Sequence, residues 1–403
     1  MELSGKKIIL GLSGGVACYK AAELCRALVK SGASVKVVMT DAATHFITAV
    51  TMQALSGNPV YFDQWDARVA NNMAHIDLTR GADAILIAPC SADFLAKLAH
   101  GVCDDLLSTL CLARPRQLPL LVAPAMNLEM WQNPATQRNC AQLTLDGVLL
   151  LGPGVGAQAC GETGLGRMLE AEQLHDEMVA LFQPKLMTGK RVLITAGPTF
   201  EAIDPVRGIT NLSSGKMGYA LARAACEAGA DVTLVSGPTA LAAPYGVRRI
   251  DVQSAEQMMD AVQAAVANQH VFIAVAAVAD WRIKNASAQK MKKQLDGALP
   301  VLEFEENPDI LASVAAKAKL DGAPYCVGFA AESENLIEYG ARKREKKDIP
   351  LLVGNIGHHT FGQDDNEIML FDADGHTLLP RANKLTLARL LVAEISTRLK
   401  KQQ

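Results

Sequence analysis

The length, composition and charge of the chain narrow the classes of protein to which it can belong. It has 403 residues, 50% of them hydrophobic, and a net charge of −3, which is typical of an α/β protein of two or three domains and not of a nucleic-acid-binding protein. Apolar runs such as 271–279 are too short to span a membrane. No signal peptide precedes the first strand, and the nine cysteines lack the paired spacing of a metal site. We therefore expect a cytoplasmic enzyme with reduced thiols that binds neither nucleic acid nor membrane.

The first elements are a strand at 7–10 and an amphipathic helix at 16–30, with Ser13, Gly14 and Gly15 between them. Glycines allow the backbone to approach an anion closely, and the start of a helix offers free N–H groups. The spacing is not G-x-G-x-x-G. The turn is therefore more typical of a site for the phosphate of a mononucleotide than of a site for a dinucleotide.

Strands and helices then alternate along the chain, which predicts doubly wound α/β sheets. A new strand begins after the turn-rich segment 183–189, so we predict two domains, 1–188 and 189–403. Further predicted strands are 34–39, 84–88, 120–123, 148–151, 191–194, 231–235, 271–275, 325–329, 351–354 and 367–371, and further helices are 43–55, 92–100, 105–113, 134–145, 170–182, 219–228, 255–268, 307–320, 335–347 and 382–399.

In the first half, polar residues follow several strands. Thr40 follows strand 34–39, and Ser91 lies in the turn 89–93 that ends the next buried strand. His75 precedes that strand, and a lone histidine is more often structural than catalytic, but its place near a polar turn favours an acid or base role. In an open α/β sheet, ligands bind at the carboxyl ends of the strands.

The turn at 124–131 has the unusual pattern P-x-M-N-x-x-M-W and follows the strand 120–123. It presents the Asn127 amide together with Met126, Met130 and Trp131, which together could form the wall of a binding site. The alternative is that the methionines and the tryptophan fill the core and that Asn127 caps a helix.

The segment 152–166 contains six glycines and Cys160. So many glycines argue against a regular element. We interpret the segment as a mobile lid that carries one thiol, and the alternative is a plain surface loop.

In the second half, the loop Asn211 to Gly218 precedes a helix and includes Gly215 and Lys216. It lacks the first glycine and the final hydroxyl of a Walker A motif, yet it remains a candidate anion site at the start of a helix. The lysines at 290, 292 and 293 follow the loop 276–281 at a strand end. They form either a solvated face or a site for polyphosphate.

These motifs together resemble two known families. Ser13-Gly14-Gly15, His75, the turns at 89–93 and 124–131, and Cys160 resemble the flavin-dependent cysteine decarboxylases, although many of those have Asn where this chain has Asp93. Gly197-Pro198-Thr199, the loop 211–218, Asp280, the lysines at 290–293 and the run 328–332 resemble bacterial phosphopantothenate–cysteine ligase. In this order, over nearly the whole chain, they resemble the bifunctional bacterial enzymes of coenzyme A biosynthesis.

For the first half, the resemblance implies a flavodoxin-like, Rossmann-like domain with FMN, which decarboxylates phosphopantothenoylcysteine to 4′-phosphopantetheine. His75 would be the acid or base, Asn127 would orient the substrate carboxylate, and Cys160 would protonate an ene-thiolate. The implied FMN contacts are Ser13, Gly14, Gly15, Thr40, Ser91 and Met126.

For the second half, the resemblance implies a Rossmann-like ligase that joins 4′-phosphopantothenate to cysteine with CTP, through an acyl-cytidylate. Lys290 would meet the triphosphate and Asn211 would hold the acyl intermediate. Mg²⁺ is expected because a triphosphate leaving group needs charge neutralisation, but its ligands stay unassigned. The other implied nucleotide contacts are Ala276, Asp280, Pro308, Asp309, Ile310, Leu311, Phe329, Lys343 and Lys347.

The resemblance further implies homo-oligomers, with trimeric flavin domains and dimeric ligase domains. Two rival functions remain. An FMN-binding regulatory or electron-transfer flavoprotein would share the first sheet but would not need both His75 and Cys160. A nicotinamide dehydrogenase would need a G-x-G-x-x-G turn, which neither half contains.

Overall fold

The computed structural model describes residues 1–65, 73–292, 301–332, 334–356 and 363–402. The chain divides into two compact units, Met1–Phe182 and Gln183–Gln403. This division lies before the segment 183–189, whereas the boundary predicted from sequence lies near its end, at 188/189. No helix in the described part of the chain is long and apolar enough to cross a membrane.

The first unit alternates strands and helices as its sequence predicts. Its elements are β1 (Lys7–Leu12), α1 (Cys18–Lys30), β2 (Ser34–Met39), α2 (Asp41–Thr44), α3 (Ala49–Ser56), β3 (Val60–Tyr61), α4 (Ala74–Arg80), β4 (Ala84–Cys90), α5 (Ala92–His100), α6 (Leu106–Ala113), β5 (Leu120–Pro124), α7 (Leu128–Gln132), α8 (Pro134–Leu145), β6 (Leu149–Leu150), β7 (Gly154–Ala157), β8 (Thr163–Arg167) and α9 (Ala171–Leu181).

Six parallel strands form the sheet of the first unit, in the order β3-β2-β1-β4-β5-β6. The order reverses between β1 and β4, which defines the crevice where ligands bind in doubly wound sheets. Without the two-residue edge strand β3, the remaining strands have the 2-1-3-4-5 order of a flavodoxin-like sheet. Strand β4 is buried along its whole length, which explains its unbroken apolar sequence.

The second unit contains a larger sheet. Its elements are β9 (Arg191–Ala196), β10 (Phe200–Ala202), β11 (Gly208–Thr210), α10 (Lys216–Glu227), β12 (Asp231–Ser236), β13 (Arg248–Asp251), α11 (Ala255–Val266), β14 (Val271–Ala274), β15 (Trp281–Ile283), β16 (Phe304–Glu306), α12 (Ile310–Asp321), β17 (Tyr325–Glu332), α13 (Leu336–Lys347), β18 (Leu351–Ile356), β19 (Asp365–Asp372), β20 (Gly375–Asn383) and α14 (Lys384–Gln402).

Eight strands form this sheet, in the order β13-β12-β9-β14-β17-β18-β19-β20. The first six are parallel, and their order reverses between β9 and β14. The last two strands are antiparallel, so this doubly wound sheet has an antiparallel edge. Helix α10 packs directly on β9, because a Cβ on Gly218 would lie 2.5 Å from the Cβ of Ala196.

Two helix predictions differ from the structure for reasons of capping. The predicted helix 43–55 is two helices, because the Thr48 hydroxyl accepts a hydrogen bond from the Thr51 amide at 3.3 Å and starts α3. The last helix starts at Lys384 and not at 382, since the side chain of Asn383 accepts from the Thr386 amide at 2.8 Å. Residues 375–383 instead form β20, whose mostly exposed side chains give no alternating pattern.

Helix α14 is fixed to α10 by a buried carboxylate. Glu227 is 4% exposed and accepts two hydrogen bonds from the Arg389 guanidinium, at 2.6 and 2.9 Å. Arg223 donates to the same carboxylate at 2.9 Å. Buried charges need partners of this kind, because desolvation without them costs several kcal/mol.

The first residues of the second unit belong to its core. Met187 is 2% exposed, and its amide donates to the Ala228 carbonyl at 2.8 Å. The Leu186 carbonyl accepts from the Ser396 hydroxyl at 2.9 Å, and Lys185 donates to the Glu227 carbonyl at 2.8 Å. The physical boundary therefore lies before these residues.

We expect a fragment of residues 183–403 to be more stable than one of residues 189–403. The shorter fragment loses one buried methionine and three hydrogen bonds, so its free energy of unfolding should be lower by about 3 kcal/mol or more. Urea unfolding of both fragments measures the difference. Equal unfolding midpoints and slopes would show that residues 183–188 do not stabilise the unit.

Candidate active sites

The carboxyl edge of the first sheet is held together at its crevice by Ser13. The Ser13 hydroxyl donates to the Pro89 carbonyl at 2.9 Å and accepts from the Ser91 amide at 2.8 Å. Ser13 is 2% exposed. Its hydroxyl therefore joins the loops that follow β1 and β4 and fixes the width of the crevice.

The two glycines of the first turn differ in their surroundings. A Cβ on Gly14 would lie 2.7 Å from the Cβ of Ala42, so packing within the protein requires glycine there. A Cβ on Gly15 would have no neighbour within 4 Å. The open space beside Gly15, just before α1, is the place where a ligand phosphate can approach the backbone.

Thr40 and Ser91 are both helix caps at this edge. The Thr40 hydroxyl accepts from the Ala43 amide and the Ser91 hydroxyl from the Phe94 amide, at 3.3 and 3.2 Å. Both residues follow strands of the sheet, so they lie at the same edge as the glycine turn. A ligand at this edge would contact the first turns of two helices, whose backbone amides are held in place by these caps.

In the turn at 124–131, the structure shows the helix capping and core packing that were the alternative to a binding-site wall. The Asn127 side-chain oxygen accepts from the Met130 amide at 3.0 Å and caps α7. Met126 and Trp131 pack against the core, whereas Met130 is 48% exposed. Capping uses the oxygen of the Asn127 amide, and its NH₂ group remains suited to donate to a carboxylate.

The glycine-rich segment forms a regular element, contrary to the sequence-based expectation. Strands β7 and β8 pair as an antiparallel hairpin. A Cβ on Gly166, whose φ is +132°, would lie 2.5 Å from the Met126 carbonyl oxygen, and one on Gly164 would lie 2.9 Å from Leu128. The glycines thus serve close packing of the hairpin against the turn at 124–131.

Gln158 connects this hairpin to α7. Its side-chain oxygen accepts from the Leu128 amide, and its NH₂ group donates to the Leu165 carbonyl, both at 3.0 Å. The Met126 amide donates to the Gly166 carbonyl at 2.9 Å. These contacts place Asn127 directly beside the base of the hairpin.

Cys160 and His75 are the other two predicted catalytic residues of the first unit. Cys160 is exposed between β7 and β8, with its Sγ 3.4 Å from a Glu162 carboxylate oxygen. His75 is half-buried in the first turn of α4, whose amino end faces the carboxyl edge of the sheet because α4 leads into β4. No hydrogen bond found in the described part of the chain joins His75 to Asn127 or Cys160.

The second unit has a cavity of about 840 Å³ at the carboxyl edge of its sheet. Asn211 and all the predicted nucleotide contacts except Lys290 lie on its wall. The wall is built by the ends of β9, β14 and β17, by the starts of α10 and α12, and by α13.

Asn211 ties two loops of this cavity together. Its amide NH₂ donates to the carbonyls of Ala277 and Val278, at 3.0 and 3.2 Å. Nearby, the Asn307 side chain donates to the Ala279 carbonyl at 2.9 Å, and the Asn307 amide donates to the Asp280 carbonyl at 2.9 Å. These amides hold the loop after β14 against its neighbours.

The lysine side chains that line the cavity differ in burial and in their ion pairs. On α13, Lys343 lies 3.5 Å from a Glu332 carboxylate oxygen, and Lys347 pairs with the Asp309 carboxylate. Burial lowers the pKa of Lys347, an effect that the Asp280 carboxylate opposes. The wall also includes Lys346, and Lys216 and Lys384 at the starts of α10 and α14. Five ammonium groups around one cavity suit a polyphosphate ligand.

Lys290 does not line this cavity. It is exposed, and the amide of the next residue, Met291, donates to a carboxylate oxygen of Asp204 at 3.1 Å. The Arg207 guanidinium holds the pKa of Asp204 well below its usual range, despite opposing desolvation. This charged pair fixes the backbone beside Lys290 away from the cavity wall. Lys293 lies outside the described residues.

Among the cavity residues not found from sequence, three come from the far end of the sheet and the last helix. Lys384, Asn355 and Asn366 line the wall and come from the antiparallel edge of the sheet or its neighbours β18 and α14. Asn366 is 5% exposed, and its side-chain oxygen accepts from the Glu367 amide at 2.9 Å. No motif marks these residues, because only the pairing of distant strands brings them to the cavity.

The described residues include no group of three or more His, Cys, Asp or Glu side chains placed to hold a metal ion. A protein-only metal site is therefore not present among them. Mg²⁺ is commonly held by one or two carboxylates together with substrate phosphates, and Asp280 and Glu306 on the cavity wall are carboxylates of this kind.

Comparison with known proteins places both units in families. Residues 1–183 match the family model described as Flavoprotein, and residues 187–399 match that of the DNA/pantothenate metabolism flavoprotein C-terminal domain. The chain is 50% identical over 390 residues to the coenzyme A biosynthesis bifunctional protein CoaBC of Vibrio cholerae, covering 96% of this chain and 97% of the relative.

The same named protein of Escherichia coli strain K12 is 47% identical over 403 residues, which cover 99% of this chain and 98% of the relative. Among solved structures, the C-terminal domain of a coenzyme A biosynthesis bifunctional protein CoaBC is 39% identical. It covers 54% of this chain and 99% of its own, with a TM-score of 0.46.

The close packing at Gly166 gives a test of the hairpin. Gly166→Ala should push β8 away from Met126, so the amides of Met126 and Leu128 should exchange with deuterium about tenfold faster or more. Gly161→Ala is the matched control, because that position also has a positive φ but no atom within 4 Å of a Cβ. Equal exchange in both variants would show that the hairpin does not depend on this contact.

Proposed function

The chain belongs to the family of the coenzyme A biosynthesis bifunctional proteins, and we propose that its units carry out two consecutive steps of that synthesis. The protein is a bifunctional enzyme, a phosphopantothenate–cysteine ligase and a phosphopantothenoylcysteine decarboxylase. The second unit makes the amide between 4′-phosphopantothenate and cysteine. The first unit then removes CO₂ from the product to give 4′-phosphopantetheine.

The ligation needs an activated acid, because a carboxylate is a poor electrophile. The carboxylate oxygen of 4′-phosphopantothenate attacks the α-phosphorus of CTP, pyrophosphate leaves, and the cysteine amine then displaces CMP. The cavity with its five lysines is the observation that supports a triphosphate in this unit. Phe329, Lys343 and Lys347 then contact the nucleotide. Asp280 and Glu306 on the wall would help to hold Mg²⁺, which would neutralise part of the triphosphate charge.

Asn211 positions the acyl intermediate in this proposal. Its NH₂ group already orders the loop after β14, so its side-chain oxygen is the atom directed to the intermediate or to the incoming amine. Lys290 is the residue for which sequence and geometry differ most. Its role at the triphosphate stays a prediction, because it lies outside the cavity wall.

The decarboxylation belongs to the first unit, which is a flavoprotein domain. We assign FMN as its flavin, because the glycine turn at the crevice fits one terminal phosphate and lacks the dinucleotide spacing. FMN supplies reversible oxidation of the thiol carbon, which places a C=S electron sink beside the carboxylate. The residues that hold FMN are the backbone of Gly14 and Gly15 and the loops of Thr40, Ser91 and Met126.

Three residues of the first unit act on the substrate in this proposal. The Asn127 NH₂ group donates to the substrate carboxylate without competing for protons. His75 is the acid or base, and the Cys160 thiol delivers a proton to the ene-thiolate carbon that remains after CO₂ leaves. The hydrogen bonds between the hairpin and α7 support joint placement of Asn127 and Cys160.

Oligomers complete the proposal: trimers through the flavin units and dimers through the ligase units, in the cytoplasm. Small molecules are then the substrates of both units. No observation in the described part of the chain favours the regulatory flavoprotein over this enzyme.

Gly15→Ala tests the position of the flavin phosphate. A methyl group there meets no protein atom within 4 Å, so the unfolding free energy of the flavin-free protein should change by less than about 0.5 kcal/mol. FMN affinity should fall about tenfold or more, because the methyl group occupies the space of the phosphate. Fluorescence titration with FMN and thermal unfolding measure the two effects. Unchanged affinity would place the phosphate elsewhere.

Single substitutions should separate the two reactions. Cys160→Ser should leave ligation intact but block release of 4′-phosphopantetheine, because an alcohol is a far weaker acid than a thiol. Lys290→Gln should block ligation and leave decarboxylation of supplied phosphopantothenoylcysteine intact, because a neutral amide cannot replace an ammonium at a polyphosphate. Each variant is the folding control for the other.

Pyrophosphate release from CTP, and CO₂ release and 4′-phosphopantetheine formation from phosphopantothenoylcysteine, are measured for both variants. Cys160→Ser should still release CO₂ in its first turnover but form no 4′-phosphopantetheine. Normal pyrophosphate release by Lys290→Gln would contradict the role of Lys290. The lysines of the cavity wall would then bind the polyphosphate without it. Wild-type protein that binds FMN but releases no CO₂ would support the regulatory flavoprotein instead.

A further inference from the structure

The first unit contains one buried lysine that the proposed reactions do not use. Lys20 lies in the first turn of α1 and is only 2% exposed. Its ammonium group donates to the Met168 carbonyl and to a Glu170 carboxylate oxygen, both at 2.9 Å. Lysine is seldom buried to this extent, because desolvation of an ammonium is costly. The two hydrogen bonds offset part of that cost and hold the ammonium group in one place.

The carboxylate that pairs with Lys20 is also bound by Arg167. The Arg167 guanidinium donates to the same Glu170 oxygen at 2.8 Å. Desolvation opposes ionisation of Glu170, but the hydrogen bonds and charges of Lys20 and Arg167 outweigh it, so the pKa of this carboxyl lies below its ordinary value. Glu170 directly precedes α9, and its amide donates to the Gln173 side chain at 3.0 Å. Lys20 therefore joins α1 to the connection between β8 and α9.

The two ends of this link belong to different parts of the proposed flavin site. Helix α1 begins shortly after Gly15, which holds the flavin phosphate in the function proposed above. Met168 directly follows β8, the strand that leads away from Cys160. The Met168 carbonyl lies beyond Arg167, the last paired residue of that strand. The link thus runs from the phosphate-binding helix to the base of the hairpin that carries the thiol.

The hairpin depends on contacts of this kind because its strands are rich in glycine. Four of the nine residues of β7 and β8 are glycine, and a two-stranded hairpin is marginally stable by itself. On one side, the Met126 amide donates to the Gly166 carbonyl at 2.9 Å and anchors the hairpin to the turn at 124–131. Lys20 provides the anchor toward α1, at Met168.

We propose that Lys20 is the positioning residue that holds the base of this hairpin against α1 and so keeps Cys160 in register with the flavin site. This inference rests on the proposed decarboxylase function and extends it to a residue outside the implied FMN contacts. The turn that carries Asn127 is also held by β5 and by core packing of Met126 and Trp131. Asn127 therefore depends less on Lys20 than Cys160 does.

Lys20→Met tests the anchor in the flavin-free, full-length protein. Methionine keeps most of the length of the side chain but cannot donate to Met168 or pair with Glu170. Hydrogen–deuterium exchange should become about tenfold faster or more at the Met126 and Leu128 amides, which donate to the hairpin, because its base opens more often. The amides of β4 should exchange as in wild type, since that strand is buried along its whole length.

Single turnover of the flavin-loaded protein tests the consequence for Cys160. In Lys20→Met, formation of 4′-phosphopantetheine from phosphopantothenoylcysteine should fall about tenfold or more, because a misplaced proton donor reacts slowly. Release of CO₂ in the first turnover should change less than about threefold. The affinity for FMN, measured by fluorescence titration, should also stay within about threefold of wild type, because the glycine turn is unchanged.

Matched variants separate the anchor from a general effect of charge or packing. Lys30 is exposed at the end of the same helix, and Lys30→Met should change none of these measurements. Lys20→Arg keeps the charge and the donors and should restore part of the product formation. If Lys20→Met does not fold at the assay temperature, Glu170→Gln removes the carboxylate charge from an exposed position and should change exchange and product formation in the same direction, but less.

Equal losses in CO₂ release, product formation and FMN affinity would overturn the proposal, because Lys20 would then stabilise the whole unit. Unchanged exchange at the Met126 and Leu128 amides would overturn it too, even if product formation fell. Failure of the decarboxylase function has a different signature: the wild-type protein would bind FMN but release no CO₂, while the exchange experiment would still report on the anchor.

Discussion

Both units depend on one constraint, the reversal of strand order within a parallel sheet. In the first unit the chain crosses from β3 back to β4 beside β1, and in the second from β13 back to β14 beside β9. Connections on the two sides of the reversal run to opposite faces, so the loops diverge and leave a crevice at the carboxyl edge. The glycine turn after β1, the turn after β4, and the loops after β9 and β14 follow the strands at these points.

In the first unit, polar residues that the sequence analysis assigned to FMN or substrate also hold the loops of the sheet edge together. Ser13 joins two loops, Thr40 and Ser91 cap helices, and Asn127 caps α7. For Asn127 the structural role does not compete with a functional one, because capping uses the oxygen of its amide and leaves the NH₂ group to donate. Fixed loops lower the entropic cost of binding a flavin.

In the second unit, charge and burial decide the chemistry. Lys343 and Lys347 of α13 have carboxylate partners on the wall, and Lys384 is buried and donates to the Gln363 carbonyl. The position of Lys384 in turn depends on the packing of α14, which the buried Glu227–Arg389 pair fixes to α10. Breaking that pair would leave buried charges without partners, which is costly.

The sequence by itself determined the alternation of strands and helices and the glycine turn of Ser13 to Gly15, because these depend on local periodicity and on strand ends. Most residues of the cavity wall were implied by the resemblance to the ligase family. Tertiary structure decided the rest. The hairpin at 154–167 exists because its glycines fit against Met126 and Leu128, a contact between distant segments. Likewise, Lys384 reaches the cavity and Lys290 does not, because long-range strand pairing and the Asp204–Arg207 pair position their backbones, and neither leaves a local pattern.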